Sequence, residues 1–147
     1  MTSPGGPNRV EIADHLHSAA IHLLRSAAKP DVISGQGPAR LSALSVLVFA
    51  GPRTLGELAA AERVKPPTMS RIVAGLKRSG LTRIQKDGED ARRVQISVTA
   101  KGERLLQEAR RRRIRALAET LAGLNAAELD ILERAAKIIE NALRRGS

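Results

Sequence analysis

Between Thr54 and Val98 two short helical segments follow one another, and the apolar pattern then switches at once from helical to strand spacing. Thr54-Leu-Gly-Glu57 has capping-box spacing: a threonine hydroxyl and a glutamate three residues on satisfy each other's orphan backbone donors. A helix is therefore expected from Thr54 to about Glu62. Arg63-Val64-Lys65 makes a tight connection. Pro66 suits the first turn of a second helix, where its missing N–H costs little. That helix is expected to run to Ser79, with Gly80 as its C-terminal stop. Val94, Ile96 and Val98 then alternate with Gln95 and Ser97, which describes a half-buried strand. Leu81 to Lys86 is its expected partner, with Asp87-Gly88-Glu89-Asp90 as the turn.

Two helices joined by a few residues and closed by a hairpin are the layout of a winged helix-turn-helix, whose second helix enters the DNA major groove. The flanks read as helices. Ile12, Leu16, Ala19 and Leu23 recur at helical spacing from Arg9 to Ala28, and Lys29-Pro30 ends that segment. Pro30, Gly35, Gly37 and Pro38 mark residues 30–38 as a loop. Ala39 to Ala50 forms a helix carrying Leu41, Leu44, Val48 and Phe49, stopped by Gly51-Pro52. Thr99 can cap a long helix to about Ala122, and Asn125-Ala-Ala-Glu128 caps a last one ending near Arg145. The fold expected is mainly α with a small β-hairpin wing. Residues 1–8 form a Pro/Gly-rich disordered arm, and 9–38 a dimerisation helix and loop. Residues 39–99 are the winged DNA-binding domain, and 100–147 the C-terminal dimerisation helices.

Composition restricts the partner. The 147-residue chain has a net charge of +10, which favours an anionic partner. Phe49 is its single aromatic, so the stacking platform typical of single-strand binders is missing and the core must be aliphatic. With no cysteine, disulfides, thiolate catalysis, cysteine zinc sites and thiol redox sensing are excluded. No segment approaches the ~18 apolar residues of a membrane span, and the first eight residues lack a signal core. A cytoplasmic, nucleoid-associated protein without membrane contact is expected.

On a helical wheel Met69, Ile72, Val73 and Leu76 gather on one side of the second short helix. Pro67, Arg71, Ala74 and Arg78 lie opposite, flanked by Thr68 and Ser70. Short side chains near the start let the backbone approach base edges, while Arg71 can reach guanine acceptors or a phosphate. The helix N-terminus adds N–H groups for a phosphate. In the hairpin, Asp87 or Asp90 is expected to pair with Arg93 and stiffen the turn, leaving Arg92 at the tip to enter a minor groove. The DNA-contacting set read from the sequence is thus Pro67, Thr68, Ser70, Arg71, Lys77, Arg78, Lys86, Arg92 and Arg93, with Asp87 and Asp90 stabilising the wing. Arg110-Arg-Arg-Arg113 reads as a solvated or salt-bridged face.

Residues 54–102 resemble the MarR family of transcriptional regulators. The likeness lies in Thr54-Leu-Gly-Glu-Leu-Ala, Pro66-Pro-Thr-Met-Ser-Arg-Ile-Val, Leu76-Lys-Arg-Ser-Gly-Leu and Asp87-Gly-Glu-Asp-Ala-Arg-Arg-Val-Gln-Ile-Ser-Val-Thr-Ala-Lys-Gly102. The resemblance implies a triangular dimer whose wings straddle a palindrome. Thr68, Ser70 and Arg71 would read the major groove, Arg92 the minor groove, and a small-molecule effector would release the DNA. Two departures stand out. Lys65 replaces a common serine cap, and Glu89 a common wing arginine.

A dimer also follows from the residues. Leu129, Leu132, Ala136, Ile139 and Leu143 keep the 3-4-3-4 spacing of a helix seam, and Ile114, Leu117, Leu121 and Leu124 form a second stripe. Ile12, Leu16, Leu23, Leu121, Leu129, Leu132, Ile139 and Leu143 are the expected interface. His15, His17 and His22 on the first helix suit an interface better than a metal site, and no metal or cofactor is expected. No catalytic triad, carboxylate pair or phosphate loop is present, so an enzyme is not expected. A protein-binding winged helix would want a neutral or apolar face. The alternative kept is a nucleoid-type architectural protein that binds DNA without strong sequence preference.

Overall fold

The computed structural model describes Gly6 and residues 8–86, 88–89 and 93–146. The expected disordered arm, 1–8, therefore falls almost entirely outside the described residues. Helix α1 spans Arg9–Ala28, opened by Asn8, whose side-chain oxygen accepts from the Val10 amide at 3.0 Å. The stretch after it, expected as a loop, is a 3-10 helix over Lys29–Ser34. Pro30 ends α1 yet fits the first turn of this new segment, and Gly35, at φ 70°, closes it. Helix α2, Pro38–Ala50, starts one residue earlier than expected because Pro38 tolerates the first helical position.

Helices α3, Leu55–Ala61, and α4, Pro66–Arg78, follow, with strands β1, Thr82–Lys86, and β2, Val94–Val98. The strands pair antiparallel, Thr82 opposite Val98 and Lys86 opposite Val94. Arg53 adds a bridge beyond the hairpin: its N–H donates to Ile96 O at 3.1 Å, and the Ile96 N–H donates back at 2.7 Å. Helices α5, Ala100–Thr120, and α6, Ala126–Arg145, complete the chain. The expected six helices and one hairpin are therefore all present.

The core is aliphatic, as the lack of aromatics requires. Leu44 and Leu47 of α2, Leu58 of α3, Met69 and Leu76 of α4, Leu81, Ile96 and Leu106 form one buried cluster. Each such side chain contributes on the order of 1.5–3 kcal/mol through burial. Phe49, expected on the apolar face of α2, is instead 65% exposed at that helix's end. Ser97, expected on the outer face of β2, is buried, and its hydroxyl accepts from Arg83 Nε at 3.2 Å, which offsets the cost of burying it.

One junction fixes the hairpin beneath α4 and α5. The Thr99 hydroxyl accepts from the Gly102 amide at 3.1 Å and donates to Gly80 O at 2.6 Å. The Thr99 N–H donates to Leu81 O at 3.0 Å, and Lys101 Nζ to Ser79 O at 2.9 Å. A β-carbon on Gly102 would stand 2.2 Å from Leu81 O, so only glycine lets these two backbones pass. The same residues stop α4, start β1 and start α5.

Candidate nucleic-acid interface

The separation of faces on α4 follows from its sequence. Met69, Val73, Gly75 and Leu76 are buried, while Pro67, Thr68, Ser70, Arg71, Ala74, Lys77 and Arg78 are exposed. The wheel is therefore correct about which side meets the core. Among the described residues none pairs with Arg71 or Arg78. Arg40 of α2 reaches over α4 from behind: a β-carbon on Gly75 would meet its guanidinium, at 2.3 Å from Nη2.

The start of α4 differs from expectation. Pro66 and Pro67 have no amide hydrogen, and the Thr68 N–H already donates to Lys65 O at 3.0 Å. That end supplies a dipole but few free donors for a phosphate. Lys65 makes no side-chain cap, so proline geometry carries the start of the helix. Between α3 and α4, Arg63 adopts a left-handed backbone at φ 53°, a position that favours glycine. Its N–H donates to Ala60 O at 3.1 Å and that of Val64 to Ala59 O at 3.0 Å, which satisfies two of the carbonyls at the end of α3.

The described part of the wing adds a contact that the sequence reading lacked. Lys86 ends β1 and is exposed. Arg93 holds Glu57 of α3 in an ion pair across 36 residues of sequence, a partner that the sequence reading did not include; its expected pairing with Asp87 or Asp90 lies outside the described residues. Asp87, Asp90 and Arg92 lie outside the described residues. Glu57 has two tasks: one oxygen accepts from the Thr54 amide at 3.1 Å, completing the capping box, and the other meets Arg93. Its carboxyl is held below the ordinary 4.5, first by the Thr54 amide and then by the Arg93 charge, although burial opposes this.

The predicted dimer residues collect on another surface. Leu16, Leu23, Leu121, Leu129, Leu132 and Ile139 line one apolar groove formed by α1, the end of α5 and α6. Ile12 and Leu143 are exposed on α1 and α6. Helix α6 buries none of its residues within the chain. On α5, Arg113 meets Asp31 at 3.0 Å and Arg112 meets Glu108 at 3.6 Å, while Arg110 and Arg111 are exposed. His15, His17 and His22 are all exposed, and among the described residues no group of three potential metal ligands occurs. Among those residues, no single helix is long and apolar enough to cross a membrane.

Comparison with known proteins agrees with this architecture. The sequence profile of the MarR family matches residues 34–93. The HTH-type transcriptional regulator Mb0904 of Mycobacterium bovis is 39% identical over 128 residues, covering 87% of this chain and 90% of its own. The chain belongs to the MarR family. The regulator MT0903.1 of Mycobacterium tuberculosis is equally similar, at 39% identity and the same coverage. Among solved structures, regulator Tm0710 of Thermotoga maritima superposes with a TM-score of 0.81 at 21% identity, covering 94% of this chain and 97% of its own. A MarR family protein of Bacillus stearothermophilus gives 0.79 at 25% identity, covering 92% and 94%. This MarR-family chain is thus a winged-helix transcriptional regulator, and its fold and family are those expected from residues 54–102.

Proposed function

We propose that the chain is a homodimeric repressor that binds a pseudo-palindromic operator in the cytoplasm and is released by a small-molecule effector. The observation that carries the DNA-binding reading is the face of α4. It exposes short polar groups near its start and, further on, arginines that pair with no carboxylate among the described residues, beside a basic hairpin. Thr68, Ser70 and Arg71 read base edges, Arg78 and Lys86 hold phosphates, and Arg92 enters the minor groove. Repression follows by occlusion of a promoter. The groove lined by Leu132 and Ile139, together with an α6 that buries nothing, supports the dimer. Two-fold symmetry suits half-sites one helical turn apart.

The effector reading places a small molecule among α1, α2 and α5, where it shifts the population between two spacings of the recognition helices.

Selection of bound fragments from genomic DNA tests the core reading. A palindromic motif is expected, bound at least about 1000-fold more tightly than random duplex at stated salt. Arg71→Ala should then weaken operator binding by about 1–3 kcal/mol without unfolding the protein, as should Arg92→Ala. Equal affinity for operator and random DNA would favour the architectural alternative.

A further inference from the structure

We propose that Glu57 is a positioning residue for DNA binding: through Arg93 it latches the wing to the helix-turn-helix, and Arg93 therefore acts on the protein, not on DNA. This rests on the DNA-binding reading above. The reason is in the joints between the two lobes. Strand β2 is tied to the segment entering α3 by the reciprocal Arg53–Ile96 backbone bonds at 3.1 and 2.7 Å. Those bonds hold the middle of the strand. Arg93 stands immediately before β2, three residues from Ile96 and next to Val94. Its Nη2 on Glu57 Oε1 makes a second tie at the entrance to the same strand. Two separated attachments fix the direction of a strand, whereas one leaves it free to swing.

Glu57 is well suited to the task because it is itself held in place. Its other carboxylate oxygen accepts from the Thr54 amide, and its own N–H donates to Thr54 Oγ1 at 3.2 Å. The carboxylate that receives Arg93 is therefore fixed to the first turn of α3 rather than waving from an exposed helix. The wing's direction is thereby referred to α3, and through the shared core to α4.

An arginine reserved for phosphate would make the opposite prediction. Neutralising Glu57 would then free a cation and tighten binding. The test is a double-mutant cycle on operator affinity with Glu57→Gln and Arg93→Gln. Glutamine keeps the capping box, so the unfolding midpoint of Glu57→Gln should stay near that of the unmodified protein. Each single variant should weaken binding about three- to fivefold, and the pair together no more than either alone. The slope of log affinity against log salt should be unchanged in Arg93→Gln, whereas loss of a direct phosphate contact lowers it by about one. Tighter binding by Glu57→Gln, multiplying effects, or a lowered slope would each overturn the latch.

A second readout does not involve DNA. Trypsin should cut after Lys86 several times faster in free Glu57→Gln than in the unmodified protein. Should the unmodified protein bind no genomic fragment, the functional reading fails, and this cleavage rate alone decides the latch: an unchanged rate overturns it.

Discussion

Gly102 stands where the first turn of α5 passes the carbonyl of Leu81, and the space for a side chain there is already filled by backbone. Gly102→Ala should therefore destabilise the fold by about 1–3 kcal/mol, seen as a lowered unfolding midpoint. Ala substituted at the neighbouring exposed Lys101 should cost much less. Glu57 gives a pH signature. Its folded carboxyl titrates below its ordinary range, so its ties to Thr54 and Arg93 stabilise above that range and are lost as pH falls through the folded value. The difference in wing protection between the unmodified protein and Glu57→Gln, read by amide hydrogen exchange at matched pH, should be full at neutral pH and shrink as pH falls through the folded value. The latch was not legible in the sequence. Arg93 had acidic residues close by in the wing, and nothing local points to a carboxylate 36 positions earlier. The exposed face of α4 was legible, because four buried residues on a helix fix the other side by geometry alone.

The beginnings of the helices were readable because capping is local chemistry: Thr54, Thr99 and Asn125 each accept from an amide three residues on. What escaped notice depended on less local signals. The 3-10 turn after α1 follows from Pro30 acting as a start as well as a stop. The Arg53–Ile96 bridge joins segments far apart in sequence, with a single residue on one side, too short to leave a period-two pattern. The turn between α3 and α4 was read as tight, yet nothing in Arg63-Val64-Lys65 announced a left-handed residue. Arg63→Gly should relieve that backbone and raise stability by about 0.5–1 kcal/mol, measured by denaturant unfolding. A loss of stability would mean that the arginine side chain contributes more than its backbone costs.

Taken together, the helices divide into two groups. Helices α2, α3 and α4 meet around the aliphatic core, whereas α6 leaves Leu132 43% and Ile138 68% exposed. An isolated amphipathic helix of 20 residues is marginal in water, so this one needs a surface to cover it. Leu132→Glu or Ile139→Glu should convert the proposed dimer to monomer and abolish tight operator binding in the same step, followed by sedimentation and by DNA titration. A monomer that kept tight binding to the palindrome would refute the symmetric arrangement. Phe49 was misplaced for a related reason: a stripe along a helix shows which residues are apolar, but not how far along it the neighbouring elements extend. A last helix that hides nothing inside its own chain also has a consequence for dosage. On the proposed dimer, a newly made copy that met no second one would keep this apolar helix open to proteases, so scarcity would hasten its removal and abundance would protect it.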